Sequence, residues 1–281
     1  MRLINVRSFS HLKMNSAPPL LSAARSLGLA MGARLHPEDA RLAANELRAL
    51  LDDTWFSSLP LALRQDLLQQ SAIWHVPPRQ VLGTQGSVPD VWFGIAAGGV
   101  TLSTSSSSSR ETVLDLLEPG QWFGDAPLIA RVPQPYSART CAPSTLLLMR
   151  RSVLQNLLAK HAEFDAALAR LNWQRSERLM ERLREQAVLS LPERTRHQLQ
   201  VLARRFGIRM RSAIRIGLPL TQAELGEVLG ASRQRVNHVL HVLERAGAIR
   251  LAHPYIDLLD AHGAADALAG TRPKNKGNPL P

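Results

Sequence analysis

The sequence predicts an α+β protein in which a β-rich half precedes a long helix and a smaller half of helices and short strands. Between residues 73 and 149, short apolar segments alternate with turn-forming Gly and Pro residues such as Pro77-Pro78, Gly98-Gly99 and Pro119-Gly120. This pattern of short strands and turns is typical of an antiparallel sandwich or barrel. From residue 151 onward, apolar residues recur mainly at helical spacing. A chain of 281 residues is long enough for two domains with separate cores.

The first half is predicted to be a sandwich domain over residues 46–160, preceded by a poorly ordered extension over residues 1–45. Helical spacing runs from Leu47 through Leu68, with Trp55-Phe56 as an anchor under the sandwich. The serine run at 103–109 is expected to form a solvated hairpin loop. The strand candidates are Val91–Ile95, Val113–Leu117 and Leu146–Met149.

A long helix is predicted next, because residues 151–186 contain neither Pro nor Gly. Its apolar residues would form one stripe, which comprises Phe164, Leu168, Leu171, Leu179 and Leu183. One edge of such a stripe would find no partner within the chain, so we expect a homodimerisation helix at residues 161–190. The alternative is a helix that packs wholly on its own domain.

Residues 191–262 are predicted to form a winged helix-turn-helix. Leu191-Pro192 opens a helix that ends near Gly207, a two-strand region follows, and residues 249–259 supply a wing. Two further helices, Thr221–Leu229 and Ser232–Ala246, are separated only by Gly230-Ala231. The polar tail at 263–281 is expected to be disordered.

Local sequence supports this motif at several positions. Thr221 and Glu224 match a capping box, and Ser232 is suited to cap the second helix. Gly226 is small where the helices must approach closely, and Gly230 suits the positive backbone angle of the turn.

The second helix of the motif carries one apolar and one polar face, and the polar face contains no carboxylate. Arg233 and Gln234 lie in its first turn and have the groups that pair with guanine and adenine edges. The other candidate DNA contacts, to phosphates or as secondary base contacts, are Thr221, Gln222, Ser232, Arg235, Asn237, His238 and His241.

Charge and composition agree with a nucleic-acid partner. Residues 1–169 contain 15 Lys and Arg against 13 Asp and Glu, whereas residues 170–281 contain 19 against 10. The excess of +9 in the second part favours a polyanion such as double-stranded DNA. The single cysteine, Cys141, excludes an internal disulfide and favours a reducing cytoplasm. No apolar stretch is long enough for a transmembrane helix, so no membrane partner is expected.

The segment LTQAELGEVLGASRQRVNHVLHVLERAGAIR closely resembles the helix-turn-helix of the Crp/Fnr family of bacterial transcription regulators. The resemblance places Arg233 on the family's base-reading arginine, Gln234 where many members carry glutamate, and His238 where the catabolite activator type has a second arginine. VLGTQGSVPD, VWFGIAAGGVTLS and TVLDLLEPGQWFGDAPL are similar to the family's jelly-roll domain, a double-stranded β-helix that binds cyclic nucleotides. The resemblance covers roughly residues 50 to 260. It implies a dimer that binds a palindromic DNA site and could contact RNA polymerase.

The effector pocket implied by this resemblance departs from the family at two places. Gly124-Asp125 stands where cyclic-nucleotide-binding members have Gly-Glu, followed by Ala126. Tyr136 replaces the phosphate-binding arginine before Ser137 and Ala138, and it cannot neutralise a buried phosphate. Arg131 or Arg139 could substitute from nearby. The purine-reading pair of the catabolite activator aligns with Leu179-Met180.

Cyclic AMP is therefore not expected to bind in the family's mode. No cofactor or metal is predicted, which leaves an unidentified small molecule or nucleotide as the effector. A haem-type role for His75 stays open, although a lone histidine is more often structural.

Two other function classes compete with that of a regulator. The chain could be a small-molecule-binding sensor whose DNA contacts are weak and nonspecific. It could also be an enzyme, but the sequence contains no phosphate loop, nucleophile elbow or metal-ligand cluster.

Overall fold

The structure, a computed structural model, describes residues 41–105, 111–219 and 221–259. The chain forms two compact units that divide after Leu179. This division lies within the long helix rather than at either of its ends. The predicted extension up to residue 40, most of the serine run and the predicted tail lie outside the described residues.

The first unit contains short helices and two four-stranded antiparallel sheets. Its helices are α1 (Ala44–Asp52), α2 (Thr54–Ser58), α3 (Leu61–Gln70), α4 (Asp125–Ala130), α5 (Arg151–Lys160) and the first part of α6 (Phe164–Val188). Its strands are β1 (Ala72–Val76), β2 (Val81–Gly83), β3 (Val91–Ala97), β4 (Val100–Ser105), β5 (Glu111–Leu117), β6 (Trp122–Phe123), β7 (Ser137–Thr140) and β8 (Ser144–Arg150).

The two sheets have the strand orders β1-β8-β3-β6 and β2-β7-β4-β5, and they enclose one core between them. The first sheet is covered on both faces. Phe93 and Leu146 point into the sandwich, whereas Trp92 and Leu147 pack against the helices. Burial on both faces explains why β3 and β8 are nearly continuous apolar runs. The predicted sandwich and its three strand candidates are confirmed.

The helical side of this unit is built around an aromatic cluster. Trp55, Trp92 and Trp122 lie within 6.3 Å of one another by ring centroids, and Phe56 stacks on Trp122 at 5.9 Å. The indole N–H of Trp55 donates to the carbonyl of Ala167 over 2.7 Å. The predicted anchoring role of Trp55-Phe56 is therefore confirmed.

Two helical segments are more divided than the sequence predicts. The segment from Leu47 to Leu68 forms three helices that begin at Ala44, because Asp53 caps α2 and Pro60 precedes α3. The segment 151–186 breaks between Lys160 and Phe164, although it contains no Pro or Gly. There the His161 ring contacts Asp66 at 2.7 Å, and Phe164 enters the core. Tertiary contacts override helix propensity at this break.

The apolar stripe predicted on the long helix is divided in the same way. Phe164, Leu168 and Leu171 are buried in the first unit, whereas Leu179 and Leu183 are exposed. The first half of the helix thus packs on its own domain, whereas the alternative in which the whole helix does so is not borne out. None of the helices in the described ranges is both long and apolar enough to cross a membrane.

The second unit combines the end of α6 with three helices and one antiparallel sheet. The helices are α7 (Leu191–Phe206), α8 (Gln222–Leu229) and α9 (Arg233–Arg245). The strands are β9 (Gly207–Arg209), β10 (Ala213–Ile216), β11 (Ile249–Ala252) and β12 (Tyr255–Leu259), in the order β11-β12-β10-β9. This is the predicted winged helix-turn-helix.

The contacts of Asp66 at the break before α6 allow the stability of the fold to be tested. Asp66 accepts from Lys160 at 2.6 Å and contacts the His161 ring. Burial alone would raise the pKa of Asp66, but these two hydrogen bonds outweigh burial and lower it below 3.8. The ionised carboxylate therefore stabilises the fold above the unfolded-state pKa, and this contribution is lost as the pH falls through the lower folded-state pKa.

We expect Asp66→Asn to lower the thermal midpoint at neutral pH, and the difference from the unsubstituted chain should shrink below about pH 4. Thermal denaturation followed by circular dichroism between neutral and acidic pH measures this. Asp52→Asn, at an exposed aspartate of α1, is the control and should change the midpoint little. A difference that does not depend on pH would contradict the assignment.

Candidate nucleic-acid interface and effector pocket

The turn between α8 and α9 is set by two glycines. Gly230 ends α8 in the left-handed region at φ 64°, where residues with a side chain are strained. A Cβ on Gly226 would lie 2.8 Å from the carbonyl oxygen of Ala231. The close approach expected at Gly226 is therefore confirmed, but the neighbour is the backbone of the turn rather than the body of α9.

Both helices of the motif are capped as the sequence predicts. The Thr221 hydroxyl accepts from the Glu224 amide at 3.1 Å, and the Glu224 carboxylate accepts from the Thr221 amide at 2.8 Å. The Ser232 hydroxyl accepts from the Arg235 amide at 3.4 Å. These bonds satisfy N–H groups that the first turns leave unpaired.

Helix α9 has one buried and one exposed face. Val236, Val239, Leu240 and Leu243 are buried, together with Leu225 and Leu229 of α8. The residues that the sequence assigned to DNA reading lie on the exposed side, which comprises Ser232, Arg233, Gln234, Arg235, His238 and His241. Packing of the apolar face therefore fixes which side chains face outward.

Besides the two capping residues Thr221 and Ser232, three of the predicted DNA contacts have side-chain partners within the protein. The Gln222 amide donates to the Asn237 side-chain oxygen at 2.8 Å, so these two side chains join α8 to α9. His241 Nδ1 lies 3.4 Å from Glu244, whose other carboxylate oxygen accepts from the Leu251 amide of the wing. Asn237 and Gln222 keep N–H donors for a further contact. Their side chains are nevertheless less available to DNA than those in the first turn of α9.

The wing adds residues that the sequence analysis did not assign. A cleft of about 440 Å³ lies between the starts of α8 and α9 and the wing, and Thr221, Arg233, His253 and Tyr255 are among its lining residues. Arg215 of β10 lies over the Tyr255 ring, 5.4 Å from its centroid, and pairs with both Asp257 oxygens at 2.7 and 3.0 Å. This carboxylate raises the pKa of Arg215. Only strand pairing brings these residues together, so spacing along the sequence gave no signal.

The effector pocket predicted in the first unit has Asp125 at its centre. Asp125 follows Gly124, which has φ 95°, and its side chain is fully buried. Its two oxygens accept from Arg175 at 2.7 Å and from Asn172 at 3.0 Å, both on α6. Arg175 also donates to the Trp122 carbonyl. A buried carboxylate requires such partners, since loss of one costs roughly 3–5 kcal/mol.

Tyr136 lies beside this ion pair, and the backbone amide of Gly124 acts to lower its pKa. Burial is the main reason that the pKa of Tyr136 rises to about 12, and the nearby Asp125 carboxylate acts in the same direction. Arg175 acts in the opposite direction. The phenol is therefore neutral over the physiological range.

The other residues assigned to this pocket are not all directed toward Asp125. The Ser137 hydroxyl accepts from the Gln85 amide at 3.1 Å, and Arg139 pairs with Glu111 at 2.9 Å. Ala126 and Arg131 are exposed, as are Leu179 and Met180 at the purine-reading position. His75, the candidate haem ligand, contacts the Thr145 hydroxyl at 3.0 Å. Sequence reasoning missed Asn172 and Arg175, which lie 47 and 50 residues after Asp125 in the chain.

Comparison with known protein families matches two separate parts of the chain. Residues 73–161 match the cyclic nucleotide-binding domain family, and residues 177–263 match the Crp-like helix-turn-helix domain family. The chain is a member of the Crp/Fnr family of transcription regulators.

Relatives of this Crp/Fnr regulator match about two thirds of the chain. It is 29% identical over 189 residues to the CRP-like cAMP-activated global transcriptional regulator of Mycobacterium tuberculosis. The aligned region covers 67% of this chain and 84% of that protein. It is 24% identical over 193 residues to the anaerobic regulatory protein of Haemophilus influenzae, over 68% of this chain and 74% of that protein. These proteins are regulators rather than enzymes.

The fold of this Crp/Fnr regulator also matches solved structures. The c-di-GMP-responsive global regulator CLP of Xanthomonas campestris superposes with a TM-score of 0.60 at 20% identity, and covers 71% of this chain and 99% of that one. At this identity the likeness shows the fold alone. The two-domain architecture predicted from the sequence is thus confirmed.

The turn of the helix-turn-helix can be tested directly. Gly226→Ala should destabilise the chain by about 1–3 kcal/mol, because the new methyl group would press on the Ala231 carbonyl, which is backbone. Urea denaturation followed by circular dichroism measures the shift. Ala223→Ser, at an exposed position of the same helix, is the control. An unchanged midpoint for Gly226→Ala would show that the turn relaxes without cost.

Proposed function

We propose that this regulator binds DNA as a homodimer and reads a palindromic site with the first turn of α9. The observation that carries this proposal is the exposure of Arg233, Gln234 and Arg235 on a helix whose opposite face is buried against α8. Arginine can bind the O6 and N7 of guanine through two parallel hydrogen bonds, and glutamine can pair with adenine in the same way. Capping by Ser232 holds this turn in helical form.

Phosphate contacts would come from the rim of the same surface. The cleft between α8, α9 and the wing is lined by Thr221, His253 and Tyr255, whose polar groups suit the DNA backbone. The net charge of +9 over residues 170–281 supports a large electrostatic contribution to affinity. Binding should accordingly weaken steeply as the salt concentration rises.

The proposed dimer is formed through α6. Trp173, Met180 and Leu183 are 63%, 64% and 66% exposed, and they lie within one stripe because seven residues make nearly two helical turns. An apolar stripe of this size is unfavourable in water and would be covered by the same stripe of a second copy. Two copies of α9 would then match half-sites about 34 Å apart.

A cyclic nucleotide is a poor candidate for the effector of this protein. The neutral Tyr136 hydroxyl occupies the position where cyclic-nucleotide-binding members use arginine, and Arg175 is already paired with Asp125. A buried phosphate without a free cation would lose more hydration than it regains. The proposed function places the regulator in the cytoplasm with DNA, where it could also contact RNA polymerase.

Arg233→Ala should weaken binding to the selected DNA site by about 1–3 kcal/mol and relax specificity at one base pair of each half-site. Selection from random DNA followed by fluorescence anisotropy gives both quantities. Arg245→Ala, at the exposed far end of α9, should leave the base preference unchanged. Retained specificity in Arg233→Ala would exclude this residue as a base reader. Failure to enrich any sequence would favour a sensor with nonspecific DNA binding.

Leu183→Asp should convert the dimer into a monomer, because two copies would bring like charges together in an apolar interface. Light scattering coupled to size-exclusion chromatography measures the mass. Gln174→Asp adds the same charge on the opposite side of α6, since nine residues make two and a half helical turns, and this variant should remain dimeric. A dimer that survives Leu183→Asp would place the interface elsewhere.

A further inference from the structure

One side-chain hydrogen bond joins the two helices of the helix-turn-helix beside the proposed base-reading turn. Nε2 of Gln222, the first residue of α8, donates to Oδ1 of Asn237 in the second turn of α9 over 2.8 Å. Both residues are half-buried. Gln222 and Arg233 also line the same cleft. The bond therefore lies at the surface that is proposed to meet DNA, and all of these residues belong to the second unit.

The backbone is fixed at both ends of this bond. The capping box of Thr221 and Glu224 holds the start of α8, where Gln222 stands. On α9, Asn237 follows Val236, whose side chain is fully buried. Since neither backbone segment is free to move far, the hydrogen bond selects the orientation of the Asn237 amide.

An amide held in this way presents one kind of group. A free asparagine can offer its oxygen, its nitrogen or both, and with both it pairs with adenine. Here Oδ1 of Asn237 is directed at α8. The N–H groups of Nδ2 point elsewhere, because the two atoms leave the same carbon in different directions. Asn237 therefore has donors to offer to DNA, while its acceptor is engaged within the protein.

Asn237 lies one helical turn beyond Arg233 on the same side of α9. Four residues rise about 6 Å along a helix, and base pairs are stacked about 3.4 Å apart. The two side chains would thus reach base pairs one or two steps apart in a half-site. In the major groove guanine and thymine present acceptors to such a donor, whereas cytosine presents its amino group.

We propose that Gln222 is a positioning residue for base recognition, and that Asn237, held by Gln222, selects the acceptor edge of guanine or thymine. This inference rests on the proposed function and deepens it, because it assigns the class of base that is read next to the Arg233 position. Gln222 acts only through the orientation of the Asn237 amide and itself touches no base.

The first experiment locates the base that Asn237 reads. The selected DNA site is varied one base pair at a time, and fluorescence anisotropy gives the relative affinities of the full chain for the four bases at each position. Asn237→Ala should reduce the preference at one position of each half-site by roughly 3- to 10-fold, the range for a single hydrogen bond. An Asn237→Ala variant that changes the preference at no position overturns the inference.

Base analogues then identify the group that is contacted at this position. Analogues that lack the N7 or O6 acceptor of guanine, or the O4 acceptor of thymine, should weaken binding of the unsubstituted chain roughly 3- to 10-fold. They should not weaken binding of Asn237→Ala further. If the unsubstituted chain loses affinity only when the amino group of cytosine or adenine is removed, or with none of the analogues, the inference is overturned.

The second experiment changes the orientation of the amide. Gln222→Met keeps the length of the side chain but cannot donate, so it should reduce the preference at the same base position as Asn237→Ala. Gln222→Glu can only accept, so Nδ2 of Asn237 should turn toward α8 and Oδ1 outward. The preferred base at that position should then change to one with an amino group. Ala223→Glu adds the same charge at the exposed neighbouring residue and is the matched control. It should lower the overall affinity and leave the base preference unchanged.

The outcomes separate this inference from the proposed function. A chain that enriches no DNA sequence overturns the proposed function. Enrichment of a site, combined with an Asn237→Ala loss that is equal for all bases, overturns the inference alone, because Asn237 would then contact phosphate. Gln222→Met and Gln222→Glu variants that are folded by circular dichroism and keep the original base preference overturn the positioning role. If the Gln222 variants do not fold, the base analogues decide with the unsubstituted chain.

Discussion

The exposed face of α9 depends on the close approach of α8 to the turn that follows it. Gly226 leaves no room for a side chain because the Ala231 carbonyl would lie 2.8 Å from its Cβ, and Gly230 provides the positive φ that reverses the chain. These two constraints fix where α9 begins. Once α9 is fixed, burial of Val236 and Leu240 determines which side chains face outward. The side chains that we propose to read DNA are therefore presented as a consequence of backbone geometry.

A second constraint operates in the first unit, where a fully buried carboxylate requires compensation. Asp125 obtains it from Arg175 and Asn172 on α6, so the electrostatic requirement of one residue attaches the helix to the sandwich. The aromatic cluster around Trp92 and Trp122 supports the same region, and Trp122 also accepts a hydrogen bond from Arg175. Packing and charge thus act on the same part of the helix.

Long helices in two-unit proteins must satisfy different environments along their length, and α6 illustrates how. Its first turns bury Phe164 and Leu171 in the first unit, whereas Leu183 and Val188 near its end are exposed. Periodicity alone treats these residues as one stripe, because it records spacing and not the presence of a neighbour. The division of the helix into a packed part and an exposed part required the tertiary structure.

The sequence by itself determined the sandwich, the winged helix-turn-helix, both helix caps and the exposed face with Arg233 and Gln234. These features depend on residues that are near one another in the chain, so spacing, turn chemistry and capping are enough to predict them. Tertiary structure alone decided the break at His161, the pairing of Asp125 with Arg175 and the placement of Tyr255 beside Arg215. Each of these involves residues that are distant in sequence, and their contacts arise only when the packed elements bring them together.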